Sequence, residues 1–242
     1  MTLEGQVAVI TGSSTGVGRS VGELFVQDGA QVVLAARTES KLKAAAESLR
    51  SRGGDVLAVP TDVSKRKHCE QLIAQAVDAF GKVDILVNNA GVGIYNPVDD
   101  LSDEELETLL SINLKGTIYC SQAVFPMMKE RESGHILNVA SIAGKVGLPR
   151  ESGYNASKFA MVGFGQSLKK EGIRYGVRVH NICPGGINTP FWDDVPEKPD
   201  ISKFLDPDHV AGLVHYVAVS PEVMVFDDIV VHPHHEYLER FA

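Results

Sequence analysis

Val7-Ala8-Val9-Ile10 is a run without a polar residue, and a glycine-rich turn and an amphipathic stretch follow it directly. The same succession recurs down the chain. Val32-Val33-Leu34-Ala35, 56–59, Ile85-Leu86-Val87, a stretch within 134–140, 177–183 and Ile229-Val230-Val231 read as strands. Helices are expected between them, over about 16–28, 38–52, 65–80 and 154–171. Strands that lack apolar–polar alternation are those buried on both faces, as in a parallel sheet covered by helices. The pattern predicts an α/β fold, a doubly wound parallel sheet with a Rossmann-type dinucleotide site, in a single domain over 1–242. A (β/α)8 barrel suits the same length, but a glycine turn after the first strand favours the open sheet.

Local signals place the boundaries. Gly29 and Gly53-Gly54 stop the first two helices. Ser102-Asp103-Glu104-Glu105 has the form of a capping box, so a helix starts there and runs, with a break or bend, towards Arg131. Asp206-Pro207 reads as an N-cap followed by proline at the first helical position. Residues 185–206 form a proline-rich loop, expected to act as a lid over a substrate.

Charge and cysteine usage narrow the function classes. Lys and Arg number 23 against 31 Asp and Glu, a net charge of −8, which argues against nucleic-acid binding. No apolar run is long enough to span a membrane. Met1-Thr2-Leu3-Glu4 lacks the basic and apolar regions of a signal peptide. Cys69, Cys120 and Cys183 are odd in number and widely spaced, which fits small buried hydrophobes in a reduced, cytoplasmic protein.

The turn Thr11-Gly12-Ser13-Ser14-Thr15-Gly16-Val17-Gly18 joins the first strand to the first helix. Its glycines allow a tight turn and close approach of backbone to a pyrophosphate, which the helix N-terminus then faces. At the end of the second strand stands Ala36-Arg37-Thr38, with no carboxylate before Glu39. A carboxylate there would hold a free ribose hydroxyl, whereas the fork of Arg37 suits a 2′-phosphate. NADP(H) is therefore expected over NAD(H), with hydroxyls of Ser13, Ser14 and Thr38 as further donors. The alternative for Arg37 is an ordinary solvated side chain.

Tyr154-Asn155-Ala156-Ser157-Lys158 places Tyr154 and Lys158 four apart at a helix start, on one face. A nearby ammonium is expected to lower the phenol's pKa towards the working range of a proton donor. Ser141 lies just beyond the fifth strand, where its hydroxyl can bond a substrate oxygen, and Asn113 sits on the preceding helix. Taken alone, Y-x-x-x-K is as compatible with a surface pair.

Together these motifs resemble the short-chain dehydrogenase/reductase family over about residues 3–189. The segment 11–18 is similar to the family's TGxxxGxG, with Val17 as a conservative replacement of the more usual Ile. Asp62-Val63 resembles its adenine-contacting pair, and Asn88-Asn89-Ala90-Gly91 its NNAG. The resemblance implies that Asn113, Ser141, Tyr154 and Lys158 are the catalytic tetrad. It implies that Pro184, Gly185, Ile187 and Thr189 belong to the segment that holds the nicotinamide amide. The implied chemistry is hydride transfer between nicotinamide and a small-molecule carbonyl or secondary alcohol. In it Tyr154 protonates the oxygen, Ser141 positions it, Lys158 binds the ribose and Asn113 helps hold a water. A homodimer or homotetramer is also implied, built through the long helices flanking the fifth strand.

The departures are a threonine, Thr15, where NADP-linked members carry a basic residue, His180 in place of an asparagine, and a C-terminus without Asp-Gly-Gly. Residues 92–95, 142–148, Gly186, Phe191, Trp192 and Phe204 are the expected pocket walls, suited to a hydrophobic ketone, aldehyde or 3-oxoacyl chain. Arg131 and Arg174 are candidates for touching an acyl-carrier protein, or solvated. His232, His234 and His235 are poorly spaced for a metal, and none is expected. The rival readings are an NAD-dependent secondary alcohol dehydrogenase and a cofactor-sensing regulator without turnover.

Overall fold

The structure is a computed structural model that describes residues 2–193, 195 and 198–241, with backbone only at 239–241. Asp194, Pro196 and Glu197 of the expected substrate loop lie outside the described residues.

Seven parallel strands form one sheet: β1 (Val7–Thr11), β2 (Gln31–Ala36), β3 (Val56–Pro60), β4 (Ile85–Asn88), β5 (Gly134–Val139), β6 (Val177–Pro184) and β7 (Ile229–Val231). Their order is β3-β2-β1-β4-β5-β6-β7, so the direction of winding reverses between β1 and β4. In an open sheet of this kind the ligand crevice lies at that reversal, outside the carboxyl ends of the strands.

The apolar runs of β1, β2 and β4 are buried on both faces, as their lack of alternation predicts, whereas β7 at the sheet edge leaves Val230 exposed. Ala8, Ile10, Val32, Leu34 and Val87 pack with α1 (Gly16–Gln27), α2 (Glu39–Arg50) and α7 (Pro207–Ala218). Their neighbours Val9, Val33, Ala35 and Leu86 face the other way, with α3 (Arg66–Phe80) and α5 (Gly116–Glu130). Cys69, Cys120 and Cys183 are all buried free thiols.

The boundary signals act as read. Gly29, at φ +89°, turns the chain out of α1. Helix α4 (Asp103–Leu109) starts on a closed capping box: Ser102 Oγ accepts from Glu105 N at 3.2 Å, and Glu105 accepts from Ser102 N at 2.9 Å. The expected break before α5 is a π-helical turn, Leu110–Lys115, which contains Asn113. Asp206 caps α7 through Asp208 N at 2.9 Å. One element was not expected: helix α8 (His234–Phe241), which follows Pro233. The helix around Tyr154, α6, runs over Ser152–Gly172.

His180 finds a role in packing. Its ring meets His135 of β5 edge-on at 4.9 Å between centroids, and its Nδ1 lies 3.1 Å from Phe226 O. Burial pulls both imidazoles down, His180 to about 4, and the charge of Arg178 lowers both further.

Candidate active site

The turn after β1 is shaped by contacts that leave no room for side chains. Gly12 has φ +64°, and a Cβ there would lie 2.7 Å from Ala90 Cα. A Cβ on Gly18 would lie 2.5 Å from Asn89 Nδ2 and 2.6 Å from Gly12 O. Asn89 Nδ2 donates to Thr11 O at 3.0 Å and to Gly12 O at 3.1 Å. Thr11 Oγ1 in turn accepts from the amides of Asn89 and Ala90, both at 3.0 Å. The N-N-A-G segment thus pins the turn from behind, and Asn89 acts on the turn's backbone. Thr15 precedes α1 without a side-chain cap, so the first amides of that helix stay free for an anion.

A cavity of about 210 Å³ opens over this turn, lined by Gly12, Ser14, Thr15, Arg37, Thr38, Asp62, Val63, Ala90 and Gly91 among others. Arg37 and Thr38 are exposed at its lip. Asp62 accepts from Ser64 N and Oγ at 3.0 and 2.7 Å. Burial pushes its carboxyl up, but the Ser64 hydrogen bonds with the charges of Arg37 and Lys65 hold it below the usual range. Ser13 is not at the lip. It is fully buried, donates to Ile10 O at 2.9 Å and accepts from Ala35 N at 2.9 Å, so it ties β1 to β2 and offers nothing to a phosphate.

The proton-handling residues converge next to this cavity. Tyr154 is 7% exposed at the start of α6, and Lys158, 4% exposed, lies one turn on, its Nζ 5.8 Å from the Tyr154 ring. A Cβ on Gly91 would sit 3.5 Å from Lys158 Nζ and 3.3 Å from Asn113 Oδ1, so both lie against Gly91, which lines the cavity. Burial raises the Tyr154 phenol above its ordinary value, a hydrogen bond with Ser141 pulls it back, and Glu151 raises it. This corrects the expected direction: desolvation dominates the phenol, and burial also lowers Lys158, to about 8.

Asn113 is fully buried and clamps Val92 at both ends, accepting from its N at 2.8 Å and donating to its O at 3.0 Å. It also donates to Ser157 Oγ at 3.0 Å, which donates to Tyr154 O at 2.7 Å. The π-helical turn aims this side chain inward. Asn155 holds the Ser141 loop to α6, donating to Ala143 O and Val146 O, both at 2.7 Å. Sequence reasoning missed Ser157 and Asn155, though both lie inside the Y-x-x-x-K segment.

The far wall comes from the loop after β6. Thr189 leans on the glycine turn, where a Cβ on Gly16 would lie 3.2 Å from its Cγ2. Ile187 bridges to Leu205, and Gly185 N donates to Val231 O at 2.8 Å. Gly186 N donates to Glu236 Oε1 of α8 at 3.1 Å, and the other carboxylate oxygen is buried against Gly185. Glu236 was not foreseen; Pro233 ahead of a short amphipathic stretch is the signal that marks it. Arg131 is not near the mouth. Its guanidinium donates to Val83 O at 2.6 Å at the amino end of β4.

Backbone cradle, free helix amides and a sheltered Tyr–Lys–Ser group together define a nucleotide-dependent oxidoreductase fold. The short chain dehydrogenase family matches residues 6–200, and the chain belongs to that family. An uncharacterized oxidoreductase of Staphylococcus aureus (strain MRSA252) is 35% identical over 231 residues, covering 96% of this chain and 98% of that protein. A Thermococcus sibiricus alcohol dehydrogenase, solved in complex with 5-hydroxy-NADP, superposes with a TM-score of 0.87 at 29% identity, over 95% and 97% of the two chains. A 3-ketoacyl-(acyl-carrier-protein) reductase from Brucella melitensis, in complex with NADH, gives 0.86 at 30% identity, over 96% and 99%. The chain is an oxidoreductase of this family. Among the described residues, no helix is long and apolar enough to cross a membrane.

Proposed function

We propose that the chain is an NADP(H)-dependent carbonyl reductase acting on a hydrophobic ketone, aldehyde or 3-oxoacyl compound. The observation that carries this reading is a buried phenol hydrogen-bonded to Ser141, with Lys158 Nζ 5.8 Å from its ring, next to a cradle without side chains. When bound, the reduced nicotinamide supplies a hydride to the carbonyl carbon. Tyr154 gives its proton to the oxygen, so ketone, hydride and proton become an alcohol. Ser141 bonds the same oxygen as charge develops there. Lys158, which burial lowers to about 8, lies beside Gly91, where it would hold the nicotinamide ribose. Asn113 sets the Val92 backbone beside it.

Gly12, Ser14, Thr15, Gly16, Val17 and Gly18 would cradle the pyrophosphate, and Asp62, Val63, Asn89, Ala90 and Gly91 would border the adenosine. Pro184, Gly185, Ile187 and Thr189 would hold the nicotinamide amide. Arg37, exposed at the lip with Thr38, supports NADP over NAD. Exposed Phe159 and Ile173 along and just after α6 support pairing of copies through α5 and α6 in a cytoplasmic homo-oligomer.

The test is turnover with Tyr154→Phe. The expected result is unchanged NADPH affinity and a loss of roughly 10²–10⁴ in kcat. Retained kcat removes Tyr154 from the chemistry. Titration of both dinucleotides into Arg37→Asp is expected to invert their preference, and tighter binding of NADH by the unaltered protein overturns the NADP assignment.

A further inference from the structure

We propose that the carbonyl compound is aromatic, or conjugated and planar beside its carbonyl, and uncharged: an aryl ketone or aryl aldehyde. The proposal rests on the reductase reading above and narrows its substrate class.

Aromatic rings from separate segments gather beside Tyr154. Tyr95, from the loop after β4, meets the Tyr154 ring edge-on at 5.5 Å between centroids. Tyr95 also lies parallel to Trp192, at 5.7 Å and 13°. Phe191 stands 6.4 Å from Tyr154, and Phe204 lies 5.5 Å from Trp192. The chain omits side chains where these rings pass. A Cβ on Gly93 would lie 2.7 Å from Phe191 Cζ, and one on Gly186 would lie 2.8 Å from Phe204. Trp192 is fixed in its plane, because its indole nitrogen donates to Ile187 O at 2.8 Å. Aromatic rings set parallel or edge-on to a flat guest gain more than area burial alone provides, and a puckered aliphatic ring of equal size does not match them.

Charge around this wall disfavours a thioester. Among the described residues of 185–206, the carboxylates Asp193, Asp200 and Asp206 stand against Lys198 and Lys203. Lys198 pairs with Asp193 at 2.7 Å. Lys145, beside the pocket, pairs with Asp228 at 2.7 Å. Glu151 lies close enough to raise both Tyr95 and Tyr154. Such a rim repels the phosphates of a coenzyme A or carrier-protein arm. Arg131 is bound at the amino end of β4, and Arg174 lies in the turn before the amino end of β6, so both are at the wrong end of the sheet to dock a carrier.

The experiment compares kcat/KM with NADPH for acetophenone, cyclohexyl methyl ketone and acetoacetyl-coenzyme A, using the full chain. NADPH affinity is measured in parallel by fluorescence titration. The expected result is a preference of about tenfold or more for acetophenone over its cyclohexyl counterpart, and slower turnover of the thioester. The acetophenone-to-cyclohexyl ratio is expected to fall towards one in Trp192→Leu and in Tyr95→Leu, and to recover in part in Trp192→Phe. Equal use of the two ketones, preference for the thioester, or a ratio that survives both leucine variants overturns the proposal and leaves the reductase reading standing. A folded protein that binds NADPH yet reduces none of the three, or that does not bind it, overturns both.

Discussion

The turn 11–18 and the loop 185–206 face each other where Gly16 meets Thr189, yet they are held by different means. The turn is fixed by main chain: two left-handed glycines, a buried threonine hydroxyl and an asparagine amide, all bonding backbone atoms. The loop is fixed by side chains arriving from elsewhere: the Trp192 indole on Ile187, Glu236 of α8 on Gly186, and Tyr95 stacked on Trp192. Main-chain fixing tolerates almost no substitution and reads any dinucleotide alike. Side-chain fixing can be rebuilt residue by residue, so the loop is where this chain sets its own selectivity.

Substitutions that act on one side only put this contrast at risk. Gly18→Val drives carbon into Asn89 and the Gly12 carbonyl, and NADPH binding is expected to fall by about a thousandfold or more in a fluorescence titration. Near-normal affinity would mean that the turn is less rigid than the contacts imply.

Acid is expected to act on the side of the sheet that carries the loop. The unfolded chain protonates its histidines near 6.5, while folded His180 stays neutral until about 4, with His135 also held down. The native state therefore loses stability as pH falls through that window, on the order of 3 kcal/mol from His180 alone. Urea unfolding at pH 7 and pH 4.5 checks this, and His180→Asn is expected to flatten the dependence.

Glu236→Ala removes the α8 carboxylate that accepts from Gly186 N. NADPH affinity is expected to drop roughly tenfold, with Glu236→Gln restoring it through the retained acceptor oxygen. An unchanged Kd would make the two sides independent.

The smallest effect is expected from Ser102→Ala. Losing the α4 cap lowers stability by about 1 kcal/mol. Because Glu105 of that capping box also accepts from Asn96 at 2.8 Å, next to Tyr95, ketone selectivity is expected to shift slightly while NADPH affinity holds.

The same division explains what could be read before the structure. The strand positions, the helix starts at Ser102 and Asp206, and the Tyr154–Lys158 face follow from local patterns with one physical outcome each. Ser13 was misread because a serine in a phosphate-binding turn looks the same whether its hydroxyl points out or back into the sheet. Only the register of β1 on β2 decides that. The phenol's direction of shift depends on burial at 7% exposure, which spacing does not encode. Helix α8 and Glu236 lie fifty residues from the glycine they bond, and no period or motif joins them.

The Trp192 bond to Ile187 has a thermodynamic consequence. One end of that link belongs to the segment proposed to grip the pyridine amide, the other to the aromatic wall. Whatever tightens one end stiffens the other. Linkage then requires reciprocity: if prior occupancy by dinucleotide sharpens affinity for the ketone by some factor, the ketone must sharpen affinity for the dinucleotide by that same factor. Severing the link in Trp192→Phe, which keeps a ring but loses the donor, should abolish this mutual gain.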